Sequence, residues 1–206
     1  MNNFNISGEI LRFGIKGTQY PKLWIHAQLI SPKELDIEHN KVFINFDIDP
    51  NPNSKKGKAA EYVKSKLQTS SFFFVSEAMI TQVKLSKKVG DTWETEETTG
   101  IKANINNLTL SSSRIDSVNI GLCKGKVSAY TYTESTDYSK IMVEERYRNP
   151  LNNEYKSRYL PMLYKGSMGS DITGRTVFVN AMLCGMTPNR ESKVYGLAKK
   201  IIVYND

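Results

Sequence analysis

Residues 54–68 read SKKGKAAEYVKSKLQ. Ser54 is placed to cap a helix, and Ala59, Ala60, Val63 and Leu67 follow it at roughly helical spacing. The polar side of this helix is rich in lysine. Its isolation is what decides the fold, because the chain on both sides reads as strands. Three runs precede it, near 4–16, 22–30 and 41–48, and two follow, near 72–86 and 101–110. Each is rich in Ile, Val, Phe, Leu and Thr, and turn residues separate them. GTQYP joins the first pair, SPKELDIEHN the second, and DPNPNSKKG leads into the helix. The stretch KKVGDTWETEETTG reads as an exposed polar hairpin loop, with Trp93 remote from the rest. The order is three strands, one helix, two strands.

SSSRIDS at 111–117 is a polar linker, and strands then resume near 119–132, 139–148, 155–165, 175–186 and 194–204. NPLNNE, GSMGSDITG and TPNRES separate them, and no comparable helix intervenes. The halves form a degenerate repeat in element order. Each opens on a Gly-containing strand, ISGEILRFG or CKGKVSAYT, and closes on IKANINNLTL or GLAKKIIVY. Five strands at this spacing fit a small Greek-key barrel of the OB type. The expectation is a mainly β chain of two tandem OB-fold five-stranded Greek-key barrels. Residues 1–112 form one domain and 118–206 the other, with the one α-helix between strands 3 and 4 of the first.

The 206 residues are 39% hydrophobic and 24% charged, a folded rather than a disordered profile. No apolar run is long enough to span a bilayer. The opening MNNFNISGEI has no basic region followed by an apolar stretch, so a secretion signal is not expected. Cys123 and Cys184 make no disulfide framework and are expected reduced in a cytoplasm. The net charge is +7, and both halves share it: 15 Lys+Arg face 12 Asp+Glu in 1–115, and 13 face 9 in 116–206. An anionic partner fits that excess.

In KLWIHAQLI, residues 22–30, Leu23, Ile25, Ala27 and Leu29 share a core face. Lys22, Trp24, His26 and Gln28 share the outer one. In an OB barrel, strands two and three face oligonucleotides or oligosaccharides, and a base can stack on an outer-face aromatic there. In KVFINFDI, the aliphatic alternation reads Val42, Ile44, Phe46 and Ile48 as the core set, which leaves Phe43 beside Trp24 and sets Asp47, a phosphate-repelling group, on the same face. Arg12, Lys16 and Lys41 are placed to track phosphates. A loop cap or a domain interface also accounts for an outer-face tryptophan. The other histidine, His39, lies in a loop. In SFFFV at 71–75 the middle phenylalanine faces opposite to its neighbours, and core packing explains the run.

The second half interleaves bases and aromatics: Tyr130 and Tyr132, then Arg146 and Arg148 on one face with Met142, then Lys156, Arg158 and Tyr164 together on the next strand. Arg and Tyr on one sheet face serve phosphate contact and stacking at once. A solvated face with cross-strand pairs, such as Arg146 with Glu144 or Glu154, is the plainer alternative.

No phosphate-cradling Gly-rich motif precedes a helix, no Cys/His cluster has ligand spacing, and there is no nucleophile elbow. Asp47 and Asp49 in DIDPNPN read more simply as a strand end entering a turn than as Mg²⁺ ligands. No enzyme activity, cofactor or metal is expected.

The chain resembles single-stranded DNA-binding proteins of the OB-fold type, particularly those encoded by phages. FNISGEILRFGIKGTQYPKLWIHAQLI, KVFINFDI, KGKAAEYVKSKL and SFFFVSEAMITQVKL carry the likeness in the first half, and GKVSAYTY and GRTVFVNAML in the second. The resemblance implies sequence-tolerant coating of single-stranded DNA during replication or recombination, with replication or recombination proteins as further partners and no membrane. Two features depart from the family pattern. The chain ends KKIIVYND rather than in an acidic recruiting tail, and two barrels in one chain argue against a one-domain homotetramer, so a monomer and a homodimer both fit. RNA also fits, because stacking platforms accept both nucleic acids. A tandem β-barrel protein–protein interaction module, such as a phage assembly or accessory factor, is the other alternative.

Overall fold

The computed structural model describes residues 1–16, 21–29, 40–49, 51–149, 152–186 and 193–204, with backbone alone at 85–89, 93 and 186. Expected turns at 17–20, 30–39 and 187–192, His39 among them, lie outside the described residues. The first half contains β1 (Asn2–Lys16), β2 (Lys22–Leu29), β3 (Lys41–Asp47), α1 (Lys55–Leu67), β4 (Phe72–Val89), β5 (Thr92–Ala103) and β6 (Leu108–Ser111). The second contains β7 (Asn119–Thr133), β8 (Tyr138–Arg148), β9 (Tyr155–Lys165), β10 (Thr176–Met186) and β11 (Lys193–Tyr204).

The pairing β1-β2-β3-β5-β4 closes on itself through β1 and β4, with β3 and β5 parallel. The pairing β7-β8-β9-β11-β10 closes in the same way through β10 and β7, with β9 and β11 parallel. Both rings are OB barrels, as the order of elements implied. Period-two burial builds them. In β2 and β3, Leu23, Ile25, Ala27, Leu29, Val42, Ile44 and Phe46 are buried and their neighbours are not. Phe73, the middle aromatic of SFFFV, is buried between half-exposed Phe72 and Phe74. Helix α1 is capped as its sequence indicates, the Ser54 hydroxyl accepting from the Gly57 N–H at 2.9 Å. Ala60, Val63 and Leu67 pack it onto the core.

Two expectations change. Residues 87–100 are not a loop: β4 and β5 run on as a long antiparallel hairpin that turns at Gly90 (φ +61°), and Trp93 lies in β5. Its Thr- and Glu-rich second arm suits a strand, because the register sets Lys84 opposite Glu97 and Lys87 opposite Glu94. Residues 101–110 are not one strand either. A 3₁₀ turn over Ile105–Asn107 breaks them, and the Asn104 side chain caps it by accepting from the Asn106 N–H.

The barrels are joined edge to edge, Asn2–Ile6 of β1 pairing with Asn119–Cys123 of β7. The 112–118 linker is stitched down at Ser7. Its hydroxyl donates to the Asp116 carbonyl at 2.9 Å and accepts from the Val118 N–H at 2.8 Å. No described helix is long and apolar enough to cross a membrane.

Candidate nucleic-acid interface

On the outer face of β1–β2–β3 the ladder places side chains in rows. Arg12, His26 and Phe43 form one, Gly14, Trp24 and Asn45 the next, and Lys16, Lys22 and Asp47 the third. The His26 imidazole stacks on Phe43, centroids 4.4 Å apart at 12°. Trp24 meets Phe43 at 5.9 Å and 59°. The Arg12 guanidinium carbon sits 5.7 Å from the Phe43 centroid and 6.0 Å from that of Trp24. The result is a continuous half-exposed aromatic surface with a cation at its edge.

Two residues outside the sequence candidates shape it. The indole lies over Gly14, where a Cβ would stand 2.5 Å from the Trp24 Cζ2 atom. Asn45 donates to the Ile101 carbonyl at 3.3 Å, fastening β3 to β5 beside Trp24. A glycine inside a strand is a legible mark of close approach, but the identity of what approaches it is not.

The face is cationic. Arg12, Lys16 and Lys22 are exposed, and Lys41 is half-buried beside Gln28. Asp47 is paired with Lys102, so its charge is compensated where the sequence alone read phosphate repulsion. Lys102 itself was not among the sequence candidates. Burial, then the positive charges of Arg12 and Lys41, hold the His26 pKa below its ordinary value, so the imidazole is neutral at pH 7. Asp49 accepts from the Asn51 N–H at 2.9 Å, as a turn residue does. Among the described residues no group of three or more His, Cys, Asp or Glu side chains could hold a metal ion.

In the second barrel the candidates divide. Arg146 and Arg148 are exposed on the outer face of β8, opposite Ser157 and Tyr155. Arg146 lies 5.5 Å from the ring centroid of Tyr155, which is 68% exposed, and no carboxylate pairs with it among the described residues. Glu144, which with Glu154 would pair with it under the plainer alternative, accepts instead from the Ser157 hydroxyl. Lys156, Arg158 and Tyr164 share the parity of buried Leu160 and Met162, so they point to the other side from Arg146 and Arg148. Lys156 is exposed near the end of the hairpin. Arg158 is held between the barrels, 3.6 Å from the Glu145 carboxylate, 3.4 Å from the Met79 sulfur and 3.8 Å from the Tyr147 centroid. The Met1 ammonium reaches the same carboxylate at 2.9 Å.

The tyrosines also have structural work. Tyr164 packs against the core. The Tyr130 hydroxyl accepts from the Met168 N–H at 3.1 Å and from the Ser139 hydroxyl at 3.4 Å. Burial pushes its pKa up, and the hydrogen bonds from Ser139, Met168 and Ser167 outweigh that and leave it below the ordinary value. Tyr132 donates to Asp137 at 3.0 Å across the β7–β8 turn. The expected single Arg/Tyr face is therefore two faces, because the core takes one parity of β9.

No family model and no curated protein sequence matches the chain. Two solved structures of the single-stranded DNA binding protein from Thermus aquaticus do match it in fold. A deletion mutant superposes with TM-score 0.64 at 11% identity, covering 100% of this chain and 95% of that one. The wild type superposes with TM-score 0.62 at 12% identity, covering 100% and 94%. At such identities the likeness is one of fold.

Proposed function

We propose that the chain is a non-catalytic, largely sequence-independent single-stranded DNA-binding protein that coats strands exposed during replication or recombination in the cytoplasm. A phage-encoded protein fits this role. One observation carries the reading: on the barrel face where OB folds take oligonucleotides, His26, Phe43 and Trp24 form one aromatic surface edged by Arg12, Lys16, Lys22 and Lys41. Bases stack on the rings, each worth about 1–3 kcal/mol irrespective of sequence. The cations follow the phosphates. Arg146 and Arg148, with exposed Tyr155, extend the contacts onto one face of the β8–β9 hairpin. The name of the Thermus aquaticus protein agrees with this assignment.

The test is a fluorescence titration with poly(dT) at low and high salt, in wild type and Trp24→Ala, with binding followed independently by filter retention. The expected result is quenching that salt reverses, with a log–log slope of about −0.7 per phosphate neutralised, and a Trp24→Ala variant that is unquenched and binds more weakly. Full affinity in that variant, or a response flat in salt, overturns the proposal. A parallel titration with poly(U) separates DNA preference from general single-strand binding.

A further inference from the structure

The two barrels share one ladder frame, so their faces can be compared position by position. Strand β1 bulges at Leu11 and β7 at Ser128, and the parallel pairs Ile44–Ile101 and Met162–Gly196 fall at the same step. In that frame Ala129 stands for Arg12 and Lys140 for Trp24. Met142 stands for His26, Pro161 for Phe43 and Leu163 for Asn45. The second barrel has lost every stacking ring of the first and has gained an aliphatic floor.

That floor is also roofed. Strand β5 crosses it, with the Thr99 hydroxyl donating to the Val194 carbonyl at 2.6 Å and accepting from the Val194 N–H at 3.1 Å. Between them lies a cleft of about 530 Å³ lined by Met142, Pro161 and Leu163. Its rim carries Glu96 and Glu97 from β5, and Lys140 and Lys193 from the second barrel, all exposed. Among the described residues Lys140, Lys193 and Glu96 make no ion pair, and Glu97 has one at 4.0 Å to exposed Lys84, too loose to occupy it.

A nucleic-acid strand would find none of the first barrel's stacked rings, only half-buried Tyr195 on the β11 wall, and two carboxylates against its phosphates. A polypeptide suits the cleft better. The volume is that of a ligand pocket, methionine adapts to varied aliphatic shapes, and a rim of both signs matches a peptide carrying both. We infer that the cleft between β5 and the outer face of the second barrel docks an extended peptide segment of a partner protein, with an aliphatic anchor flanked by one acidic and one basic residue. Its occupancy does not depend on whether the first barrel binds DNA.

A random peptide display library selected on the full chain tests this, with the enriched sequences remade as synthetic peptides and measured by fluorescence anisotropy. Enriched peptides are expected to share an aliphatic residue between opposite charges. Met142→Glu is expected to weaken them at least about tenfold, as burying an unpaired charge at a contact does. Because Met142 is half-buried, the exposed pair Glu96→Gln/Glu97→Gln gives an independent reading and is expected to weaken the same peptides, with poly(dT) binding not weakened in either variant. Three results overturn the inference. One is peptides whose binding ignores both variants. The second is loss of poly(dT) binding in Met142→Glu, which would make the face a nucleic-acid site. The third is self-association in sedimentation equilibrium that Met142→Glu abolishes, which would make a second copy the occupant.

Discussion

Gly14 has no side chain, and the Trp24 indole occupies the space one would need. The outer position of Trp24 is legible from the alternation of KLWIHAQLI alone. Its support is not, because Gly14 and Asn45 lie beside it only through non-local pairing. Gly14→Val is therefore expected to displace the ring and reduce poly(dT) affinity by about 1–3 kcal/mol, comparable to losing one stacked base. Titration in a Trp93→Phe background, reading Trp24 emission, checks both effects together. His26 makes a prediction with a defined sign. Its pKa is lowered on folding, so the unfolded chain binds the proton first as pH falls. Stability is then independent of this residue above about pH 6.5 and declines as pH falls below it. The difference between wild type and His26→Gln in urea melts over that range isolates the contribution from that of His39; equal pH profiles would refute it.

At the level of elements, the helix and nine of the ten strands of the two barrels were legible in the sequence, because cap, turn and period-two signals coincide there; of β5 only the end at Ile101–Ala103 was. The β4–β5 hairpin was not. Its polar arm lacks an apolar alternation, and what holds it as strand is pairing with its own lysine-bearing partner. The faces of β9 were misassigned for a related reason: in YKSRYLPMLYK both parities are amphipathic, and only the core's capture of Leu160 and Met162 decides between them. That separation yields a contrast between basic and aromatic candidates. Arg146→Ala with Arg148→Ala is expected to make the poly(dT) salt slope shallower by roughly 1.4, about 0.7 per lost phosphate contact. Tyr130→Phe removes the acceptor of the Met168 N–H instead. It is expected to lower stability by about 0.5–1.5 kcal/mol in urea melts and to leave the salt slope where it was.

Across the whole molecule, the linker that the sequence marks as a boundary is also a seam. Strands β1–β5 and β7–β11 each close a barrel, yet β1 pairs with β7, Ser7 holds the linker to β1, and Phe4 lies against Gly121, where a Cβ would meet its ring. Glu145 and Arg158 meet at this junction with side chains only 9% and 18% exposed. The Met1 ammonium also reaches Glu145, whereas Glu145 is the one carboxylate paired with Arg158 among the described residues, so removing Glu145 leaves a desolvated guanidinium without a counter-charge. Neither the ladder nor this pair is visible in the sequence, because a strand edge shows nothing of what it pairs with. The proposed domains 1–112 and 118–206 are accordingly expected to unfold together. Calorimetry should give one transition with equal calorimetric and van't Hoff enthalpies. Glu145→Ala should lower stability by about 3 kcal/mol while keeping Arg158 in place. Two resolved transitions in the wild type would show instead that the barrels are independent folding units, and the junction would then serve orientation rather than stability.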